Sequence, residues 1–234
     1  MKTIAIFLTF CLITTVIAFT DEPFFASQTG MVLTSTNLNS RGRVEGFTRM
    51  TIRDVKNTNN ETTIAYTMEM LDRNRRPTGR AGIREYNVTI NGGILEFKTA
   101  NIMDIFFASR DMTYELRSGT LNIPSNMTNG TVIEDSWMFM TVRVPVIGTI
   151  TANTTMTNIR CIGKETITVP AGTFEAYKVT TTSTTEASGF GTGRSPIINT
   201  STTWYVRGIG VVKSINTDDK GNVESSTELY ELTR

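Results

Sequence analysis

The chain has 234 residues, 39% hydrophobic and 19% charged, with 23 Lys and Arg against 22 Asp and Glu, two Cys and no His. That is enough for one large domain, or two small ones, with a sizeable core, and too apolar and too balanced in charge for a disordered chain. The absent histidine excludes a Ser-His-Asp or Cys-His nucleophile pair, an imidazole metal site and a near-neutral histidine switch.

Met1 and Lys2 precede an apolar run from Ile4 to Ile17, shorter than the roughly 20 residues of a membrane span and closing on Val16-Ile17-Ala18. Polar, acidic sequence follows at Thr20-Asp21-Glu22-Pro23. The pattern predicts a secretory signal peptide over residues 1–18 and a single mainly-β domain over 19–234. An uncleaved anchor is the alternative. A lipoprotein signal at Leu8-Thr9-Phe10-Cys11 is rejected, because bulky Phe10 stands where a small residue is needed and Cys11 falls in mid-run. Cleavage after Ala18 would remove Lys2 and Cys11, leaving 22 basic against 22 acidic residues and Cys161 alone. A neutral chain argues against a nucleic-acid partner, and a lone cysteine forms no internal disulfide. No second stretch approaches the length of a transmembrane segment.

Threonine fills 42 positions, and it is β-branched and favours strands. In Glu61 to Leu71, Ile64, Tyr66, Met68 and Met70 share one parity and Thr63, Thr67 and Glu69 the other, the period-two mark of a half-buried strand. Arg84 to Ile90 alternates likewise, and Asn91-Gly92-Gly93 turns the chain into Ile94 to Lys98. Ile102 to Met112 reads as the helix, with Ile102, Ile105, Phe106 and Met103, Phe107 recurring at helical spacing. Trp137 to Val144 is apolar on both parities, so it is covered on both faces or lines an apolar cavity. Val211 to Ile215 and Val223 to Leu232 flank a turn at Asp218-Asp219-Lys220-Gly221-Asn222. The fold class expected is mainly β: a single curved antiparallel sheet, a half-barrel, with one short helix on its concave face.

Few residues are placed for chemistry. Glu134 and Asp135 are adjacent and would face opposite sides of a strand. Cys161 sits between Arg160 and Ile162 in a strand-like stretch, as a buried, inert thiol does. No metal or cofactor motif is present. Arg73, Arg75, Arg76 and Arg80 crowd a Pro- and Gly-containing connection, a basic loop that could touch anionic head groups or simply be solvated. In Val169-Pro170-Ala171-Gly172-Thr173-Phe174, Pro170 and Gly172 suit a tight three-residue hairpin with a bulge. In Trp204-Tyr205-Val206-Arg207-Gly208-Ile209-Gly210-Val211-Val212-Lys213 the glycines read as a bulge in a strand, since no helix follows to cradle phosphate.

These last two stretches, with Gly163-Lys164-Glu165 and the Trp137 strand, resemble the TapB-like family of secreted bacterial proteins of unknown function. The resemblance implies a curved antiparallel half-barrel, similar at the fold level to lipoprotein carriers of the LolA and LolB type, which hold acyl chains between sheet and helices. It implies no catalytic residues. The expectation is a non-enzymatic binding protein in the periplasm or exterior of a bacterium. Its partner would be a lipid or other apolar small molecule in a cavity lined by Met138, Met140, Val142, Phe106, Phe107, Tyr66 and Met68. An envelope component acting on protein partners through its sheet edges is the alternative. A hydrolase with distant carboxylates ranks third.

Overall fold

The computed structural model describes residues 22–78, 83–108, 113–144, 148–189 and 195–234. In chain order the first elements are β1 (Val32–Asn39), β2 (Val44–Asn57), β3 (Glu61–Leu71), β4 (Arg84–Asn91), β5 (Ile94–Lys98) and the helix α1 (Ala100–Ala108). There follow β6 (Thr113–Ser118), β7 (Thr120–Pro124), β8 (Ser136–Val144), β9 (Gly148–Val169) and β10 (Gly172–Ser188). β11 (Ile197–Val206), β12 (Gly210–Thr217) and β13 (Val223–Thr233) complete the chain.

All thirteen strands form one antiparallel sheet, ordered β6-β8-β9-β10-β11-β12-β13-β1-β2-β3-β4-β5-β7. The two outermost strands, β6 and β7, are neighbours in the chain with only Gly119 between them. β6 pairs with β8, and β7 pairs with β5. One continuous run therefore carries both edges, and the sheet curls into a nearly closed barrel rather than stopping at a half-barrel. Gly119 is where the run changes partners. Its N–H donates to the Trp137 carbonyl at 2.9 Å, and a Cβ there would lie 3.0 Å from Trp137 Nε1.

Alternation puts Ile52, Ile64, Tyr66, Val88, Leu95 and Ile123 inside the barrel, where burying each contributes about 1.5–3 kcal/mol. This packed core lies toward the end where β1 begins. Toward the opposite end the wall is polar on both faces. Thr180 to Thr185 are all half-buried, and Thr154 Oγ1 bonds Thr185 Oγ1 at 2.9 Å across β9 and β10.

A strap over Glu22 to Ser27 closes the packed end. The Gly208 N–H donates to the Pro23 carbonyl at 2.8 Å, and Phe24 meets Tyr177 edge-on at 5.0 Å. Phe25 meets Tyr66 at 5.2 Å.

Three expectations shift in detail. α1 begins at Ala100, earlier than the predicted Ile102, and 109–112 lie outside the described residues. Gly208 and Gly210, at φ +68° and +100°, build the β11–β12 turn and not a bulge within a strand, because this turn must reverse the chain beneath the strap. The Pro170-Ala171 turn pairs Val169 with Gly172, and its Ala171 N–H reaches across to the Leu229 carbonyl at 3.1 Å. Two of the stretches that carry the family resemblance, those of Glu165 and Trp204, meet. Trp204 Nε1 donates to Glu165 at 2.6 Å and lies under Lys178 and Lys213 at 5.2 and 6.0 Å. These residues hold the wall.

Candidate functional site: a window in the barrel wall

β4 pairs with β5 only over Thr89 to Asn91, and β6 leaves the line of β7 at Gly119 to follow β8. Among the described residues no strand pairs with the free sides of Arg84–Val88 or Thr113–Ser118. The barrel wall has a gap there, and α1 lies behind it.

Side-chain chemistry explains why α1 stays in place. The Ala100 N–H donates to Ser118 Oγ at 3.2 Å, fixing the helix start to β6. Asn101 Nδ2 donates to the Tyr66 hydroxyl at 3.2 Å, tying the next residue to β3. Asp104 does most. The Tyr86 hydroxyl donates to its Oδ2 at 2.7 Å and the Tyr114 hydroxyl to its Oδ1 at 2.8 Å, so one carboxylate clasps β4 and β6 across the gap. Below the clasp, Phe107 lies 5.4 Å from Tyr114.

These bonds need neutral phenols. Burial, opposed by the Asn101 bond, pushes Tyr66 up to about 12. Burial first, then the Asp104 carboxylate, pushes Tyr114 up to about 12 and Tyr86 further above its ordinary range. Burial alone lifts Tyr205 to about 12. A raised folded-state value means stability that is fully present below the unfolded phenol value of 10.0 and lost as pH rises through the folded one. The barrel should therefore keep its stability up to about pH 10 and lose it between about 10 and 12. Denaturant midpoints along a pH series, with the ultraviolet phenolate band followed in parallel, check this. Ionisation of all these phenols near 10 with the fold intact would refute it.

A cavity of about 400 Å³ opens at the gap, within the roughly 300–1,000 Å³ range of small-molecule sites. Its lining comes from both faces of the sheet. Tyr86, Leu116 and Ser118 point inward, as Leu116 stands opposite Met140 and Tyr86 opposite Tyr66. Lys98 and Arg117 have the opposite parity and sit on the outer rim, while Ala100, Asn101 and Asp104 of α1 form the floor. A space lined in this way reaches from the outer rim to α1, which closes it behind. It is a lateral window.

Of the seven residues expected to line an apolar cavity, Phe106 and Phe107 belong to α1 and the other five to β3 and β8, and none lines the window. Met138, Met140 and Val142 share the inward parity of β8, with buried Val142 opposite Tyr114. Tyr66 is buried and Met68 half-buried on β3. Phe107 is buried, whereas Phe106 on the other flank of the helix is exposed. Of the basic loop, Arg75 folds back at φ +61°, its guanidinium 4.6 Å over Tyr230 and 3.7 Å from Glu231. Arg73 and Arg76 are exposed, and Arg80 lies outside the described residues. Cys161 is buried, its thiol directed at the Gly163 carbonyl at 3.6 Å. The residues that sequence reasoning missed are Lys98, Asn101, Asp104 and Arg117. A polar residue in the middle of a greasy helix is the one local signal for Asp104.

The family model described as DUF3108-like matches residues 28–229. No curated protein matches the chain. A crystal structure of a protein from Bacteroides fragilis, inferred to be exported and described as having a YmcC-like fold, superposes with a TM-score of 0.74. The two are 16% identical over 91% of this chain and 100% of that one. A protein from Parabacteroides distasonis, inferred to be a lipoprotein, gives the same TM-score of 0.74 and 16% identity over 91% of this chain and 99% of that one. At such identity the likeness is one of fold. Among the described residues no helix is long and apolar enough to cross a membrane.

Proposed function

The chain belongs to the DUF3108-like family, and from that premise we propose an exported, non-enzymatic protein that takes a small apolar or amphiphilic ligand through the window between β4 and β6. The observation that supports the reading is the cavity between β4 and β6, floored by a helix that polar clasps hold in place. When α1 swings away, the inward residues Met138, Met140, Val142, Tyr66, Met68 and Phe107 become the wall that an apolar chain would meet. The TapB-like resemblance and the analogy with LolA- and LolB-type carriers favour a lipid as that chain.

Export rests on the 1–18 signal pattern, with 19–234 as the mature domain, and on solved neighbours inferred to be exported or lipoproteins. Binding is favoured over catalysis because both Asp104 oxygens already accept phenol hydrogen bonds, which leaves no carboxylate poised as a base on the window floor.

Protein purified from its host and kept in mild buffer should carry a small apolar or amphiphilic species, seen as an adduct in native mass spectrometry and lost on solvent extraction. Leu116→Trp, which fills the window from its inner rim, should abolish the adduct. Wild-type protein without an adduct, and without affinity for added dodecyl amphiphiles, would overturn the reading. A second reading has its own observation: Arg84–Val88 and Thr113–Ser118 leave strand sides without partners, and a partner strand could add there. In-cell cross-linking from Thr113 would then trap a protein.

A further inference from the structure

We propose that the window selects amphiphiles with an anionic head, a phosphate or carboxylate, held at its outer rim by Lys98 and Arg117. This rests on the window being the ligand site. Lys98 ends β5 on the outer parity, and among the described residues its ammonium forms no ion pair or hydrogen bond. Arg117 gives Nε and Nη2 to Glu115 Oε1 at 3.0 and 2.6 Å, and Nη1 takes no part in that pair. Ser118 Oγ accepts from the Ala100 N–H, so its own proton remains available to an acceptor in the cavity.

Of the carboxylates around the window, Asp104 and Glu115 are committed, while Glu85 of β4 and Glu96 of β5 are exposed. Glu115 is bound to Arg117, and Asp104 is capped by two phenols on the inner side. The charged donors of Lys98 and Arg117 thus lie on the outer side, while Ser118, Leu116 and the helix floor lie inward. That is the order of an amphiphile entering tail first. Charge-assisted bonds from Lys and Arg suit phosphate or carboxylate oxygens. A quaternary ammonium head would meet the unpaired ammonium of Lys98, and a neutral glycerol head would leave it unused.

The test titrates the mature protein at low salt with dodecyl phosphate, dodecanoate, monododecanoylglycerol, dodecyltrimethylammonium and inorganic phosphate, each below its aggregation threshold. Dodecyl phosphate and dodecanoate should bind about tenfold or more tightly than the glycerol ester, in line with a charge-assisted contact. Which of those two binds tighter assigns the head as phosphate or carboxylate. Lys98→Gln combined with Arg117→Gln should erase the preference and leave the glycerol ester's affinity unchanged. Both side chains are exposed, and an unshifted melting temperature confirms that the variant folds. Equal affinity for every head, or a preference that survives the double substitution, overturns the anionic rim. Inorganic phosphate binding as tightly as dodecyl phosphate overturns it too, since the tail would then contribute nothing. Failure of every dodecyl compound to bind defeats the window reading itself and not merely the choice of head.

Discussion

Phe24→Ala should lower the stability of the barrel by about 3–5 kcal/mol, the cost of truncating a fully packed aromatic side chain. The ring is 2% exposed and meets Tyr177 and Tyr205 edge-on, at 5.0 and 6.2 Å, with the Arg207 guanidinium 4.9 Å above it. Removing it takes away more than area. The strap from Glu22 to Ser27 has no strand partner, and its described backbone hydrogen bonds to the barrel near Phe24 are the Gly208 N–H to Pro23 and Arg207 Nη1 to the Glu22 carbonyl. Without the ring those two bonds, worth about 1 kcal/mol each, and the packing of Phe25 on Tyr66 are left to hold the strap. Two readouts separate the effects. Equilibrium denaturation reads the global loss, and hydrogen exchange at the Gly208 amide reads release of the strap. A loss below about 1 kcal/mol with Gly208 still protected would show that the strap merely lies on the barrel.

How much of this was legible depended on whether a feature lived in one strand or between several. β3 runs over Glu61–Leu71, as its alternation predicted, because Ile64 and Tyr66 face a packed interior while Thr63 and Glu69 do not. Thr180 to Thr185 carry no such pattern. Both faces of β10 are half-buried there, so no selection for apolar residues marks one parity. The strap was invisible for another reason: two adjacent phenylalanines after Pro23 have neither a helical nor a strand period. The window is harder still. It arises because β6 follows β8 while β7 follows β5, a choice of partners made at Gly119 that no local spacing encodes. Lys98 and Arg117 are 19 positions apart, and no local spacing links them. The helix was found, but its apolar residues drew attention past Asp104, the one side chain that joins it to two strands.

Asp104→Ala should open that clasp. It removes the acceptor of two phenol hydrogen bonds to a charged group, and the expected loss is about 2–3 kcal/mol, below the sum of two such bonds because both phenols keep some solvent access. The loss should be local. α1 is a short helix held by Asn101, Ser118, Phe107 and the clasp, whereas the sheet around it is continuous through β1 to β4 and β8 to β13. Hydrogen exchange should therefore show α1 amides unprotected while core amides such as Ile64 keep their protection. Asp104→Asn retains one carbonyl acceptor and should recover roughly half of the lost protection. The same clasp fails in wild-type protein when Tyr114 or Tyr86 ionises, because a phenolate facing the carboxylate repels it and has no proton to donate. Wild-type protein taken above pH 10, while enough stability remains for the sheet to stand, should thus approach the signature of the Asp104→Ala variant at neutral pH, a mobile α1. If α1 stays protected in the variant, Phe107 packing and not the Tyr–Asp–Tyr bridge holds the window shut, and ligand entry must be sought through motion of β6 instead.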